Sequence, residues 1–404
     1  MSLITQLETE IDALLAQNPD EVNARLRTEY SRRAKGRERS IVLFGAVSGP
    51  ATIALSGLRR IGIVPLAFTD NNQNLWNTVK DGIPVLPPAE AVEKYKDSAI
   101  FVITIFNSSA VRRQLAAMGC AYVATYEMLF FGYHEVFIPF YDLDFPTRIF
   151  EESNLVRKGF ALWSDDFSRE GYVSQLVYRM SLDPDSLVTK NDPKEEYFPK
   201  SLRKIFPCDT FVDCGAFDGD TIKDFLSIGV DYRKIISLEP DAMNFRRLKE
   251  YIEALPAEHR NRIEIIKMAV GSKKGWLSFE SNGSMLSNLI DDSDGDTLSR
   301  IKGTTDDPRT ITTRVESRTL DDLVPLGATG YIKMDIEGAE MDALKGATRL
   351  IETSCADWAI TVYHRPDDLW KVPLVFAPHS SHYDFHLERY SEGITETVCY
   401  IIRK

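Results

Sequence analysis

Two acids and two glycines in the second half of the chain stand at spacings that could hold a small ligand. Asp213 and Gly215 close a short apolar run, Thr210–Cys214, and Gly219 follows where a helical pattern begins. Glycine lets the backbone pass close to a ligand, and a helix start offers N–H groups without helical partners. Glu239 ends the next apolar run. An acid there can accept hydrogen bonds from both ribose hydroxyls of an adenosine. The spacing is not Gly-x-Gly-x-x-Gly, and Asp218 and Asp220 stand inside the turn. A pyrophosphate needs the positive end of that helix, and these acids would repel it. A phosphate-free ligand with a positive sulfonium fits the charge better. The residues therefore favour S-adenosylmethionine over a nicotinamide dinucleotide, with Asp213 facing the cationic end. On the glycines alone, an ordinary turn beside a solvated acid is the plainer alternative.

A second group lies further on. Asp335 and Glu337 follow the apolar run Gly330–Met334, and His364 ends the next one. A strand-end carboxylate can take or orient a hydroxyl proton, and imidazole has a suitable intrinsic pKa. Asp335 is the first candidate base, with His364 the alternative and Glu337 just beyond. The plainer readings are helix-start acids for Glu337 and Glu340 and an ordinary hydrogen-bonded His364. All three are metal-ligand types, but their spacing is not diagnostic, and no metal is expected. In the tail, His382, Asp384 and His386 would share one face of a strand. No cysteine or fourth ligand accompanies them, so surface or substrate contacts are expected. Asp291–Asp296 resembles a calcium loop but fails the register. With Gly295 as position six, Ile290 and Ile301 fall at positions one and twelve.

These residues need elements to position them. Residues 205–404 alternate apolar runs with helical patterns: strands at Thr210–Cys214, Ile235–Leu238, Ile263–Val270, Gly330–Met334 and Trp358–Tyr363, then a closing hairpin around Gly393. This predicts a mostly parallel sheet with an antiparallel end. Residues 1–39 read as a helical segment, broken at Asn18-Pro19-Asp20. Residues 40–125 repeat the strand–helix rhythm, a Rossmann-like domain. Its Phe44-Gly45-Ala-Val-Ser-Gly49 turn and Asp70 are a weaker nucleotide signal, with Val47 at the usual central glycine and Pro50 opening the helix. Nucleotide or nucleotide-sugar binding and a scaffold or docking role both stay open there. Residues 126–204, rich in aromatics and proline, are expected to connect the two and shape the acceptor site.

The fold class expected is α/β, with two Rossmann-like domains. The net charge of -12 argues against sequence-independent nucleic-acid binding. Five scattered cysteines form no Cys-x-x-Cys pair and read as reduced, in a cytoplasmic protein. The start MSLITQLETE lacks the basic and apolar segments of a signal peptide, and no apolar run is long enough to span a membrane.

Asp213-x-Gly-Ala216-x-x-Gly-Asp-Thr221, Leu238-Glu-Pro240-Asp-x-x-x-Phe245, Ala269-Val-Gly271 and Ile332-Lys-Met-Asp-Ile-Glu-Gly-Ala-Glu340, in this order, resemble the FkbM family of methyltransferases. Tyr363-His-Arg365 and Thr397-x-x-Tyr400 are similar to it too. The resemblance covers roughly residues 205–404. It implies a class I methyltransferase fold with a seven-stranded sheet, S-adenosylmethionine as donor, and usually O-methylation of sugars or polyketide-type products. Carried over by position, Asp213, Gly215, Ala216, Gly219, Thr221, Glu239 and Pro240 would line the cofactor, with Asp335 beside it. Many class I enzymes place an acid or amide after the third strand to meet the adenine. Here Lys267-Met268-Ala269 stands there, and backbone groups near Met268 and Ala269 are the expected substitute. Ser284 and Ser287-Asn288 could close over the cofactor. The expected partner is a small-molecule or glycan acceptor, with a homo-oligomer compatible. A nucleotide-dependent oxidoreductase and a non-catalytic nucleotide- or sugar-binding protein are the alternatives.

Overall fold

The computed structural model describes residues 2–140, 143–187, 191–205, 208–281, 288–290, 311–325, 330–353 and 355–404. Two helices, Leu3–Leu15 and Pro19–Ala34, come first. The Asn18 side chain accepts the Asp20 N–H and Pro19 opens the second helix, where its missing donor costs nothing. The first sheet follows: β1 Ile41–Phe44, β2 Ala67–Thr69, β3 Thr78–Lys80, β4 Ile83–Leu86, β5 Ile100–Ile103 and β6 Val123–Thr125. Its order is β3-β4-β2-β1-β5-β6, and every pairing but β3–β4 is parallel. Central parallel strands are apolar on both faces, and β1 and β5 are buried throughout.

The second half builds a larger sheet with one excursion. β7 Cys208–Cys214, β8 Tyr232–Leu238 and β9 Ile263–Ile266 belong to it. Next, β10 Ala269–Val270, β11 Gly275–Ser281, β12 Asn288–Ile290 and β13 Ile311–Arg318 form a separate sheet of order β10-β13-β11-β12. β14 Gly330–Met334, β15 Ala356–Thr361, β16 Tyr383–Arg389 and β17 Thr397–Arg403 then complete the large sheet. From one edge it runs β9-β8-β7-β14-β15-β17-β16. All of it is parallel except β17, antiparallel to both neighbours. The reversed strand thus lies one place in from the edge, with β16 outside it.

The single strand expected over 263–270 is two. β9 stops at Ile266, and Ala269–Val270 pairs with β13 in the smaller sheet. β13 places Thr, Arg, Glu and Ser among few apolar residues, which hides a strand paired on both sides. Ser284, Ser287 and the calcium-like loop at 291–296 lie outside the described residues.

Helix Asp166–Ser181 and Ser164 just before it, from the connecting stretch, cover the β16 edge. The Phe385 and Leu387 N–H groups donate to Ser164 and Ser168 side chains at 2.8 and 2.9 Å. The Ser164 N–H donates to the Phe385 carbonyl. An edge strand satisfied this way offers no template for another chain. His386, read in the tail as one of a histidine–acid group, instead meets Asp165 at 2.6 Å. Among the described residues no helix is long and apolar enough to cross a membrane, and Cys120, Cys214, Cys355 and Cys399 are free.

Candidate active site

A cleft opens at the carboxyl ends of β7, β8 and β14, where strands hand over to helices. Three strand ends make its floor. The Gly215 and Ala216 N–H groups donate to the Leu238 carbonyl, the Glu239 N–H to Ile266, and the Asp335 N–H to Cys214. Parallel pairing thereby sets Asp213, Glu239 and Asp335 side by side.

Glu239 is 5 % exposed. Its two carboxylate oxygens accept the Phe217 and Asp241 N–H groups, each at 2.8 Å. Each keeps a lone pair, and the residue lines the cleft. Burial, against those two bonds, pushes its pKa up to about 7. Pro240, Met268, Ala269 and Thr221 line the same wall, and so does Asn244.

Asp213 lies beneath the cleft, fully buried. It pairs with Lys333, its register neighbour on β14, with Nζ 3.3 Å from Oδ1. Burial raises the Asp213 pKa to about 6 against the pull of that ammonium. Burial works against the Lys333 charge, but Asp213, Asp335 and Asp220 outweigh it and hold the pKa above its ordinary value. Lys333 also donates to the Gly215 carbonyl at 2.6 Å and lies 5.2 Å from the centre of the Tyr197 ring. A lysine between Ile332 and Met334 inside an apolar strand was the legible signal for this pair. Ala216 is buried and Gly219 caps the helix Asp220–Ile228 at φ 95°; neither lines the cleft.

The far wall gathers acids. Asp335 Oδ2 accepts the Tyr197 hydroxyl at 2.8 Å. Glu337 sits at φ 56° and Gly338 at φ 93°, a left-handed turn just past the strand. His364, after β15, places Nε2 3.4 Å from Asp335 Oδ1 and 3.6 Å from Glu337 Oε2. Its Nδ1 meets Glu340 Oε1 at 2.9 Å. The three residues that sequence spacing left undiagnostic are thus brought together, because β14 and β15 are neighbours. Burial disfavours the imidazolium, but Glu340, Glu337 and Asp335 outweigh it and hold the His364 pKa well above its ordinary value. Burial pushes Glu337 up to about 8 although His364 opposes it. Glu196, Tyr197, Tyr363 and Glu396 complete this wall. Burial and the neighbouring Glu396 push Glu196 up to about 10. Sequence reasoning missed these four as site residues; Glu196, Tyr197 and Glu396 come from the connecting stretch and the hairpin turn, where no motif marks them.

In the first sheet the corresponding turn is self-satisfied. Asp70 accepts the Ala46 and Asn72 N–H groups at 2.7 and 2.8 Å, Lys80 donates to the Ala46 carbonyl, and Ser48 caps the next helix.

A seven-stranded sheet of this order, with one reversed strand and its cleft at these strand ends, is the class I methyltransferase fold. Residues 213–389 match the family model described as the methyltransferase FkbM domain. The solved structure of an FkbM methyltransferase from Methylobacillus flagellatus KT is similar over 99 % of this chain and 99 % of that one, with TM-score 0.72 and 18 % identity. That likeness is one of fold. A proposed rRNA methylase from Clostridium thermocellum covers 54 % of this chain and 99 % of its own, at 11 % identity and TM-score 0.32. The methyltransferase domain of bacterial CtHen1 covers 50 % of this chain and 94 % of its own, at 11 % identity and TM-score 0.29. Both are too distant to argue from. No curated protein matches the chain.

Proposed function

We propose that the chain transfers a methyl group from S-adenosylmethionine to a hydroxyl of a carbohydrate or secondary metabolite. The observation that carries this is Glu239: a buried carboxylate at the second strand end, held by two backbone donors, with lone pairs left toward the cleft. That pair of acceptor oxygens fits the hydroxyls of a ribose diol, and the acids around it fit a cationic ligand rather than a phosphate. Thr221, Pro240 and Ala269 flank the nucleoside, and Met268 with its backbone meets the adenine. Gly215 keeps the floor open. Asp213 acts from below, by fixing Lys333 against the turn.

When bound, S-adenosylmethionine supplies an electrophilic methyl carbon whose bond to sulfur breaks as a neutral thioether leaves. The chain's own work is placement. The acceptor oxygen approaches from the Asp335, Glu337 and His364 side. Asp335 Oδ1 carries no hydrogen bond and receives the proton that the hydroxyl loses as its oxygen bonds to carbon. Glu337 and His364 orient the hydroxyl. Glu196, Tyr363 and Glu396 shape the acceptor side, and the self-satisfied turn of the first sheet supports a scaffold role for that half.

Isothermal titration with S-adenosylmethionine tests the reading. Wild type should bind one equivalent. Glu239→Ala removes two charge-assisted hydrogen bonds of about 1.5–3 kcal/mol each, so Kd should rise on the order of a hundredfold or more. Absence of binding to wild type would sink the proposal.

A further inference from the structure

The two ring nitrogens of His364 are engaged differently. Nδ1 meets Glu340, which is itself held by the Ile336 N–H at 3.0 Å and the Thr361 hydroxyl at 3.3 Å. Nε2 points the other way. The side chain is 2 % exposed, and Nε2 is buried without a hydrogen-bond partner. It faces Asp335 Oδ1, also buried and without one, and Glu337 Oε2. One ligand atom from each of the three residues lies within 4.8 Å of the others.

We infer that Asp335, Glu337 and His364 form a binding site for one divalent cation. Ligand atoms ~2.1 Å from a shared ion stand roughly 3.0 Å apart at a right angle and ~3.4 Å apart at the tetrahedral angle. The 3.4 and 3.6 Å contacts of Nε2 fall near that range. The competing source of positive charge is a proton on Nε2. A charged N–H offered to a carboxylate closes to about 2.7–2.9 Å, and neither contact does. The outer partners also fit a metal site. A metal-binding imidazole passes its other nitrogen to a carboxylate, here Glu340, and a ligating carboxylate is itself hydrogen-bonded, here by Tyr197. Two carboxylates and one imidazole suit an ion of intermediate hardness such as Mn²⁺. The role of the ion rests on the methyl-transfer reading above. Asp335 and Glu337 line the cleft, so an ion they hold would be within reach of an acceptor hydroxyl there and would make it more acidic. With Asp335 engaged as a ligand, the ion would lower the hydroxyl's pKa, and the proton would leave to solvent water as the oxygen bonds to the methyl carbon and the thioether departs.

The experiment uses the full chain, treated with a chelator and then titrated with MnCl₂ without cofactor or acceptor. One equivalent should bind saturably, and electron spin-echo modulation should show one imidazole nitrogen. His364→Gln should remove that modulation and weaken binding at least about tenfold. Asp335→Asn should weaken it similarly, and at 23 % side-chain exposure it disturbs the fold less. The proposal is overturned by a wild-type protein with no saturable Mn²⁺ site below millimolar concentration. It is equally overturned if both variants leave affinity and nitrogen signal intact. A parallel S-adenosylmethionine titration separates the two ideas. Mn²⁺ binding without cofactor binding removes the methyl-transfer reading and leaves the ion site standing; cofactor binding without Mn²⁺ does the reverse.

Discussion

A Cβ at position 215 would lie 1.8 Å from the Asp335 carbonyl oxygen, and one at 219 would lie 2.6 Å from the Tyr251 ring. Both glycines are therefore demanded by protein packing before any ligand arrives, although their spacing reads as ligand-directed. Residue type was legible where a strand end presented it: Asp213 is the last but one residue of β7, and Glu239 and Asp335 follow directly on β8 and β14. It was not legible for Tyr197, whose hydroxyl reaches Asp335 across 138 residues of chain. Glu239 carries a prediction in pH. In the ligand-free fold it takes up a proton as pH falls through about 7, whereas an unburied glutamate waits until about 4.5. The folded state then binds more protons in that window, so this group makes the free protein more stable as pH falls from 7 toward 4.5. Ribose hydroxyls need the ionised carboxylate. Affinity for S-adenosylmethionine should therefore fall as pH drops below about 7, approaching tenfold per unit. Calorimetry across pH 5.5–8 with proton uptake measured checks this, and a flat profile counts against the ribose assignment.

At the scale of elements, the parallel strands were read from their apolar runs, because burial on both faces leaves a signal that is local. The small sheet was missed because β13 mixes polar residues into its run and β10 continues an apolar stretch begun by β9. The covering of β16 was not legible either, since serine at 164 and 168 looks like any helix-start residue. Asp165 does two jobs there. It accepts the Ser168 N–H as the cap of helix Asp166–Ser181 and meets His386 on β16. Asp165→Ala should cost about 1–2 kcal/mol, seen as a lower urea midpoint with unchanged slope. Asp165→Asn, which keeps the cap, should recover much of it.

For the whole molecule, the hairpin that carries Glu396 into the cleft is also tied to the first sheet. The Glu392 carboxylate accepts from the Ser109 N–H and hydroxyl at 2.6 and 2.5 Å, and the Glu392 N–H donates to the Asn107 side chain. Glu392→Ala should loosen this tie, seen as faster amide hydrogen exchange at 107–110 and 390–396 while the centres of β7 and β14 stay protected. Unchanged exchange would show that the Glu392 carboxylate is not what holds this tie, the 392 N–H bond to Asn107 and packing being enough. The stitching of β16 also sets an order of events while the chain is being made. Ser168 and Leu387 are 219 residues apart. At roughly 5–20 residues per second of synthesis, the later partner emerges on the order of 10–40 s after the earlier one. Throughout that interval the helix face bearing Ser168, Gly171 and Gln175, which meets Leu387 and Thr397 in the finished fold, has no strand to cover it. The half of the protein translated first is thus the one that must wait, and a nascent chain stalled before β16 should be a chaperone substrate although its first sheet is already formed.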